Sequence, residues 1–272
     1  MADQLTQFAG RTAFVSGASS GIGRAIAEEF GKRGLRVVLA SRNLADVERV
    51  ASNIEGASAV QLDVRDEASW IAALDTAEAR HGPLCVMVSN AGVAGSVMPL
   101  AETPTSAWEW SRGVNLDGAY FGLSHGTRRI LASGQPGHII ATSSMAIFAA
   151  PAGSGIYIAS KAAIVGLCES LRAELVEHEV GVSVIMSGPV RTNIIEGNVE
   201  RAPPNVPIPD MASQAAFVRS GLAPEVVARL TVEALGTDQF WIFTHPDLAS
   251  RMITRNAEIE KALQWARSAL NQ

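Results

Sequence analysis

The sequence predicts an α/β fold in which helices cover both faces of one doubly wound parallel sheet of about seven strands. Two observations lead to this fold class. Short apolar segments alternate along the chain with segments of helical periodicity, as in doubly wound sheets. A glycine-rich turn also joins the first predicted strand to the first predicted helix. The predicted strands span residues 12–16, 36–40, 59–63, 84–89, 138–142, 181–186 and 239–243.

The composition is that of one globular domain. Of the 272 residues, 47% are hydrophobic, which is enough for one large core. No linker rich in Pro, Gly and Ser divides the chain, so we expect residues 1–272 to fold as a single domain. The segment RAPPNVPIP (residues 201–209) is rich in proline and therefore cannot form a regular helix or a central strand.

Charge and composition argue against several classes of protein. The net charge of -5, without a basic cluster, argues against nucleic acid as a partner. The chain begins without a signal-peptide pattern and has no apolar run of membrane-spanning length, so we expect a cytoplasmic protein with no membrane partner. Cys85 and Cys168 indicate buried free thiols rather than a disulfide. The histidines lack ligand spacing, which predicts no metal site.

The glycine turn after the first strand indicates a phosphate-binding site. Gly17, Gly21 and Gly23 stand between the apolar strand 12–16 and an amphipathic helix over residues 22–32. Glycines let the backbone approach a pyrophosphate closely, and the helix N-terminus offers free N–H groups and a partial positive charge. This strand, turn and helix together predict a dinucleotide-binding domain.

A different function fits the same residues. GASSG (residues 17–21) also matches the GxSxG turn of the α/β-hydrolases, in which Ser19 would be the nucleophile. That turn normally follows several strands, whereas here it follows the first. Among the histidines, only His245 is well placed for a catalytic role after a late strand. We therefore rank the hydrolase below a dinucleotide enzyme.

A second pattern indicates proton-transfer chemistry. Tyr157 and Lys161 are four residues apart at the start of a predicted long helix, so their side chains rise from one face. A nearby cation favours phenolate, and we expect Lys161 to lower the pKa of Tyr157 toward the working range. Taken alone, the pair would also fit a buried tyrosine beside a solvated lysine. The preceding glycine turn favours the catalytic interpretation.

Seven separated motifs, in this order, resemble the short-chain dehydrogenases/reductases of standard length. The resemblance runs from residue 11 to about residue 243 and implies a Rossmann fold and a dinucleotide-dependent oxidoreductase. Two positions depart from the usual pattern: Ser16 replaces a threonine but keeps the hydroxyl, and Ser89 replaces the first Asn of NNAG. The motifs are SGASSGIG (16–23), LDV (62–64), SNAG (89–92), VNLDG (114–118), ATSS (141–144), YIASK (157–161) and SGPVRT (187–192).

The resemblance also implies the catalytic residues. Tyr157 would exchange a proton with the alcohol or carbonyl oxygen, and Lys161 would lower its pKa and bind the nicotinamide ribose. Ser144 would hydrogen-bond the substrate oxygen. Ser143 is the adjacent alternative, but strand alternation turns it to the opposite side. Asn115 would support a water chain that relays the proton outward, unless its amide only caps a helix.

By the same resemblance, the cofactor is bound by the glycine turn and by residues at the strand ends. An acidic residue usually ends the second strand of NAD enzymes, whereas NADP enzymes carry a cation for the 2′-phosphate. Ser41 holds the acid's place and Arg42 follows, so we expect NADP(H). NAD(H) is the alternative, because Ser20 supplies no second cation and Arg42 also fits a solvated loop residue. The predicted cofactor-binding residues are Gly17, Ser19, Ser20, Gly21, Ile22, Gly23, Ser41, Arg42, Asp63, Val64, Asn90, Ala91, Gly92, Tyr157, Lys161, Pro189, Val190 and Thr192.

The segments expected around the substrate are largely apolar. They include a lid over about residues 190–221, and a helical tail over about residues 246–270 follows the last strand. This lining predicts an apolar or aromatic alcohol or ketone as substrate, although packing of the loops explains the same residues equally well. The predicted substrate contacts are Met145, Phe148, Ile194 and Ile195, with Val97, Met98, Ile147, Met211 and Phe217 nearby.

A weaker likeness points to a substrate class. The segments ILASGQPGHII, GLAPEVV and FWIFTHPDLASRM are similar to the group containing the aryl-alcohol Cα-dehydrogenases. Those relatives typically use NAD, so Ser41 and Arg42 argue against assigning the cofactor of that group to this chain as well.

The predicted helices 108–132 and 157–176 carry small and apolar residues on more than one face. By resemblance, the same two helices form a four-helix contact between subunits, which predicts a homotetramer with a homodimer as the fallback. The other interpretation is that the C-terminal helix of the same chain covers this surface.

The sequence therefore predicts an NADP(H)-dependent oxidoreductase that interconverts a secondary alcohol and a ketone by hydride transfer. An NAD-dependent aryl-alcohol dehydrogenase of the same family is the alternative. An inactive dinucleotide-binding sensor is more remote, because it would have lost Tyr157 or Lys161, and the hydrolase is the other remote candidate.

Overall fold

The computed structural model describes residues 7–271 and contains a seven-stranded sheet with the order β3-β2-β1-β4-β5-β6-β7. Each pair of neighbouring strands is parallel. The predicted doubly wound α/β fold is thereby confirmed. The strands are β1 (Thr12–Ser16), β2 (Arg36–Ser41), β3 (Ser58–Gln61), β4 (Leu84–Ser89), β5 (Gly137–Ser144), β6 (Val180–Ser187) and β7 (Trp241–Phe243).

The last strand is shorter than predicted. The sequence pattern places its start at residue 239, but only Trp241–Phe243 pairs with β6. The backbone N–H of Gln239 instead donates to the Thr237 hydroxyl over 3.1 Å, which keeps this residue in the preceding turn. A short apolar run does not show where such a turn ends.

Helices cover both faces of the sheet. They are α1 (Gly21–Lys32), α2 (Leu44–Ala51), α3 (Glu67–His81), α4 (Thr105–Arg112), α5 (Gly118–Ala132), α6 (Ala146–Ala149), α7 (Gly155–Glu174), α8 (Glu196–Arg201), α9 (Ala212–Arg219), α10 (Pro224–Ala234) and α11 (Ser250–Leu270). Among residues 7–271, no helix has the length and hydropathy needed to cross a bilayer.

Two apolar cores, one on each face, hold these layers together. Phe14 of β1 belongs to the core beneath α3, α5 and α7, and its ring lies 5.8 Å from the ring of Trp70 on α3. Its neighbours Ala13 and Val15 point to the opposite core, beneath α1, α2 and α10. Every residue of β1 is buried, as expected for a central strand of a parallel sheet.

The strand order creates a crevice at one edge of the sheet. β1 lies between β2 and β4, so the connections on its two sides run in opposite directions. In open α/β sheets, ligands bind beyond the carboxyl ends of the strands at this switch point. Ser16, Ser41, Ser89, Ser144 and Ser187 end five of the strands at this edge.

The segment after β6 and the C-terminal tail lie outside the sheet. The predicted lid contains α8 and α9, and the proline-rich stretch between these helices is irregular. The tail forms a 3₁₀ turn (Pro246–Ala249) and then α11, which has no buried residue. The main packing partners of α11 are α6 and this 3₁₀ turn, rather than the surfaces of α5 and α7.

Candidate active site

Two adjoining cavities open at the carboxyl edge of the sheet. One, of about 630 Å³, has a mainly polar lining and lies over the glycine turn. The other, of about 500 Å³, is mainly apolar and lies under the lid and the tail. Several residues line both cavities, and the two volumes meet at them: Ile22, Tyr157, Ser187, Thr192 and Ile194.

The glycine turn forms a cradle in the polar cavity. Gly17 and Gly21 have φ angles of 68° and 57°, which favour glycine. A Cβ at Gly17 would lie 2.8 Å from the Cα of Ala91, and one at Gly21 would lie 2.8 Å from Thr192 Cγ2. Among the described residues, no side chain caps the first turn of α1, since Ser20 makes no capping hydrogen bond. The turn therefore fits a phosphate group.

Asn90 braces this cradle against the sheet. Its backbone N–H donates to the Ser16 hydroxyl over 2.9 Å, and its side-chain amide donates to the Ser16 carbonyl over 3.1 Å. Its amide oxygen accepts a hydrogen bond from Thr142 over 3.1 Å. Asn90 thus ties the ends of β1, β4 and β5 together, and the hydroxyl that Ser16 keeps accepts one of these hydrogen bonds.

Most of the predicted cofactor residues line the polar cavity, but three do not. Gly23 is buried, and a Cβ there would collide with the Gly17 carbonyl and the Asn90 amide, so it allows close packing of α1. Pro189 and Val190 line the apolar cavity instead, because the chain turns under the lid after β6. Those in the polar cavity are Gly17, Ser19, Ser20, Gly21, Ile22, Ser41, Arg42, Asp63, Val64, Asn90, Ala91, Gly92, Tyr157, Lys161 and Thr192.

The residues after β2 and β3 give the far end of the polar cavity its charge. Ser41 donates to the Asn43 carbonyl over 3.0 Å, and the exposed Arg42 forms no ion pair with any acidic residue between positions 7 and 271. Asp63 is bound by Arg65 at 2.6 Å, and this hydrogen bond lowers the pKa of the Asp63 carboxyl. The Arg42 guanidinium is therefore available to bind an anion in this cavity.

Tyr157, Ser144 and Lys161 meet where the cavities join. Tyr157 and Lys161 rise from the first turns of α7, while Ser144 ends β5. The Lys161 ammonium donates to the Thr142 carbonyl over 2.8 Å and lies 5.9 Å from the centre of the Tyr157 ring. The Ser144 hydroxyl donates to the Ser187 carbonyl over 3.3 Å and lies beside the Tyr157 phenol, whose pKa it lowers.

Burial has the largest effect on the pKa of Tyr157 in this structure, and the lowering of that pKa by Lys161 stays a prediction. Burial raises the pKa of the Tyr157 phenol above its usual value, and the hydrogen bond with Ser144 opposes this rise. Burial also lowers the pKa of Lys161 to about 8. The reason is desolvation: each group is surrounded by protein, which favours its neutral form. Tyr157 consequently holds its proton at neutral pH.

The two neighbouring serines of β5 face different cavities. Ser144 lines the apolar cavity, beside Tyr157. Ser143 lines the polar cavity, and its hydroxyl donates to the backbone carbonyl of Lys161 over 2.7 Å. Strand alternation therefore places Ser144 next to the phenol and leaves Ser143 to anchor α7.

Asn115 is buried in a π-helical turn (Gly113–Asp117) between α4 and α5. Its amide oxygen accepts from the Val93 N–H over 2.8 Å, and its amide nitrogen donates to the Val93 carbonyl over 3.0 Å. Both polar atoms of the side chain are thus bound to the backbone after β4. The π turn widens the helix at this point, a local irregularity that often occurs at functional sites.

The apolar cavity corrects part of the predicted substrate lining. Met145, Ile194 and Ile195 line it, but Phe148 does not. The Phe148 ring lies 6.4 Å from the ring of Phe243 and packs against the core, because α6 turns it away from the cavity. Met98 and Ile147 are also outside the lining, whereas Val97, Met211 and Phe217 belong to it.

Sequence patterns missed the contribution of the tail. Leu248, Ser250 and Arg251 line the apolar cavity, although they follow β7 by several residues. Gln214 of α9 was also missed. No local motif marks these positions, because only the packing of α11 against α6 brings the tail to the site.

The described residues form neither a metal site nor the active site of a hydrolase. Within residues 7–271 no group of His, Cys, Asp and Glu side chains is arranged to hold a metal ion. Ser19 lines the polar cavity, and His245 instead lies beside the Thr244 hydroxyl at 2.7 Å. The pairing of these two residues that a hydrolase needs is therefore not formed.

Comparison with known proteins decides the family. The family model described as short chain dehydrogenase matches residues 11–202. The chain belongs to this family. Short chain dehydrogenases are oxidoreductases, so the protein is an enzyme that converts alcohols and ketones, and the predicted resemblance is confirmed.

Three relatives illustrate the range of this dehydrogenase family. A C alpha-dehydrogenase of Sphingobium sp. is 30% identical over 260 residues, covering 90% of this chain and 83% of that protein. An NADP-dependent (R)-specific alcohol dehydrogenase of Lentilactobacillus kefiri is 35% identical over 201 residues, covering 72% and 78%. A crystal structure of a family member from Burkholderia phymatum in complex with NAD is 33% identical, with a TM-score of 0.88, and covers 94% and 96%. The likeness to the Cα-dehydrogenase group is thus confirmed.

Proposed function

We propose that this dehydrogenase interconverts a secondary alcohol and a ketone with an apolar or aromatic body, using NADP(H). One observation carries the proposal: the Tyr157 phenol lies where the polar and apolar cavities meet, with Ser144 and Lys161 beside it. A cofactor in the polar cavity and a substrate in the apolar cavity would therefore meet at a group that transfers protons.

The bound dinucleotide would supply or accept the hydride. Tyr157 holds a proton at its hydroxyl and gives it to the carbonyl oxygen, or takes one from the alcohol in the reverse direction. Ser144 donates a hydrogen bond to the same oxygen and stabilises the charge that develops there. Lys161 is placed to bind the nicotinamide ribose, and its charge opposes the effect of burial on the phenol.

Asn115 acts at a distance from the reacting atoms. Its side chain binds the Val93 backbone and also donates to the Ser160 hydroxyl over 3.4 Å, so it positions the segment after β4 against α7. We retain for Asn115 the role that the sequence analysis gives it, which is to support a water chain that relays the proton outward.

The preference for NADP(H) rests on the end of β2. Ser41 offers no carboxylate to a ribose hydroxyl, and the unpaired Arg42 suits a 2′-phosphate. The NADP-dependent relative from Lentilactobacillus kefiri supports this choice. An NAD-dependent aryl-alcohol dehydrogenase is the second candidate, favoured by the relative whose structure contains NAD and by the Cα-dehydrogenase.

A spectrophotometric assay tests the proposal. The purified enzyme is mixed with NADPH or NADH and a panel of ketones, and with the oxidised cofactors and matching alcohols, while the absorbance of the reduced nicotinamide is followed. We expect turnover of aryl and other apolar ketones with NADPH at a much higher kcat/KM than with NADH. Faster turnover with NADH would favour the NAD-dependent aryl-alcohol dehydrogenase. No turnover with either cofactor would contradict both proposed functions.

We further propose a homotetramer, with a homodimer as the fallback. The C-terminal helix α11 packs mainly on α6, so it does not provide the cover for α5 and α7 that a monomer would need. Tyr120 of α5 and Val176 just beyond α7 are exposed large side chains on this surface. Light scattering should give a multiple of the 28.6 kDa chain mass, and a monomer would contradict the proposal.

A further inference from the structure

Arg201 is, with Arg42, one of two arginines at the polar cavity that form no ion pair among the described residues, and it comes from the lid rather than from the sheet. It ends α8, and its side chain folds back over Gly197, where a Cβ would collide with the guanidinium. The guanidinium donates to the Asn193 carbonyl over 3.4 Å. The side chain is half-buried and lines the polar cavity together with Arg42.

The other arginines of this cavity are neutralised by neighbouring carboxylates. Their ion pairs are Arg24–Glu28, Arg49–Asp46 and Arg65–Asp63. Arg201, like Arg42, has no such ion pair with the acidic residues of the described chain. Two uncompensated guanidinium groups therefore face one cavity.

These two groups are close enough to repel each other. Burial lowers the pKa of Arg201 most, and the charge of Arg42 lowers it further. Glu200 acts in the opposite direction, but its effect is smaller than that of Arg42. An arrangement of two cations that repel each other in a partly desolvated cavity is stabilised by an anion bound between them.

We propose that Arg201 binds a phosphate group of the dinucleotide from the lid side, so that the bound cofactor holds α8 over the cavity. A phosphate group presents pairs of acceptor oxygens that match the planar fork of a guanidinium. A dinucleotide bound in this cavity would offer two candidate phosphates. The neighbour Arg42 points to the 2′-phosphate of the proposed NADP(H), and the neighbour Asn193, next to Thr192 at the glycine turn, points to the pyrophosphate. Only the first source rests on the proposed cofactor preference.

Calorimetric titration of the full-length enzyme distinguishes these sources. The probes are NADPH, NADH, 2′,5′-ADP and ADP, and the variants are Arg201→Gln and the control Arg219→Gln. Arg219 pairs with Glu196 of α8 at 2.7 Å but does not line the cavity, so its loss reports on a loosened lid alone. We expect Arg201→Gln to weaken binding about tenfold and the control to stay within about twofold of the wild type.

The affinity losses across the four probes identify the phosphate group that Arg201 binds. Weaker binding of NADPH and 2′,5′-ADP alone assigns Arg201 to the 2′-phosphate. Weaker binding of all the probes, ADP and NADH included, assigns it to the pyrophosphate. Wild-type affinity for every probe, or a loss equal to that of the control, would overturn the inference. An NAD-dependent enzyme would disprove the proposed preference, yet a loss of ADP binding would still support the role of Arg201.

A second variant tests the same contact without removing the arginine. Gly197→Ala keeps the arginine but displaces its guanidinium, because the added methyl group occupies its place. This variant should show the same affinity losses as Arg201→Gln, and thermal melting without ligand checks that each variant is folded. Normal binding by folded Gly197→Ala together with normal binding by Arg201→Gln would exclude a phosphate contact.

Discussion

The two cavities differ in what holds their walls in place. The polar cavity is built on the sheet: its lining follows directly after β1, β2, β3 and β4 and includes the end of β5, and Asn90 ties β1, β4 and β5 together. The apolar cavity takes much of its wall from the lid and the tail, through residues such as Phe217 and Leu248. Backbone hydrogen bonds between strands fix the first cavity, whereas side-chain packing of loops shapes the second.

This difference suggests how each cavity responds to change. A substitution on the polar side alters a group whose position the sheet dictates, so it should affect chemistry or cofactor choice sharply. A substitution in the lid or tail alters a surface whose neighbours can adjust, so it should change substrate binding gradually. Substitutions at the junction of the two cavities, on the polar side and on the apolar side therefore distinguish these responses.

The largest effect is expected at the junction itself. Tyr157→Phe removes the proton-transfer hydroxyl and nothing else, so kcat should fall by about 10² to 10⁴ while cofactor affinity stays close to that of the wild type. Steady-state kinetics and a calorimetric titration with NADPH measure the two quantities. A variant that keeps more than about a tenth of the wild-type kcat would contradict the assignment of Tyr157.

A sharp effect on cofactor choice is expected at the end of β2. Arg42→Ala should raise the KM for NADPH by about 10- to 100-fold, since a charge-assisted contact contributes roughly 1.5 to 3 kcal/mol. The KM for NADH should change little, because that cofactor has no 2′-phosphate. Arg49→Ala is a matched control, as Arg49 lines the same cavity but pairs with Asp46. Equal changes of the KM for NADPH and for NADH would contradict the role of Arg42 in binding the 2′-phosphate and would favour the NAD-dependent enzyme.

The buried Lys161 should make stability depend on pH. Its pKa falls from 10.5 to about 8 on folding, so between these values the unfolded chain keeps a proton that the folded chain has lost. Stability should therefore rise with pH from about 8, by on the order of 2 kcal/mol up to about pH 10. The raised pKa of Tyr157 has the opposite effect, because above its ordinary value the unfolded phenol ionises and the folded one does not.

Urea unfolding at several pH values measures this dependence. Lys161→Met is the control, since it keeps the length of the side chain but has no charge to bury. The rise between about pH 8 and pH 10 should disappear in this variant. An identical rise in both proteins would show that another group causes it.

The same contrast explains how far the sequence predicts the structure. The glycine turn lies where the motifs place it, because Gly17 and Gly21 are required locally by positive φ angles and close contacts, and the predicted strand ends lie within two residues of the observed ones. Phe148 is predicted wrongly, since nothing in its neighbourhood in the chain shows which way a four-residue helix turns. Leu248 and Arg251 are missed because only the docking of α11 brings them to the cavity.

The pKa of Tyr157 is the other point that motifs do not reveal. Spacing shows that Lys161 is near, but not that its ammonium is bound to the Thr142 carbonyl or that both groups are desolvated. These effects depend on how the two cavities are enclosed, which is a property of the tertiary structure.

The smallest effect is expected on the apolar side. Phe217 of α9 lines the apolar cavity but is 59% exposed, so Phe217→Ala should raise the KM for an aryl ketone about fivefold, equivalent to about 1 kcal/mol, without changing cofactor affinity. Phe148→Ala is the informative partner, because this ring packs on Phe243 and does not reach the cavity. It should lower the stability by on the order of 2 kcal/mol and leave the KM unchanged. A KM effect of Phe148→Ala larger than that of Phe217→Ala would show that the loops around the substrate rearrange, and that the lid rather than the sheet-bound part of the site determines which ketone is accepted.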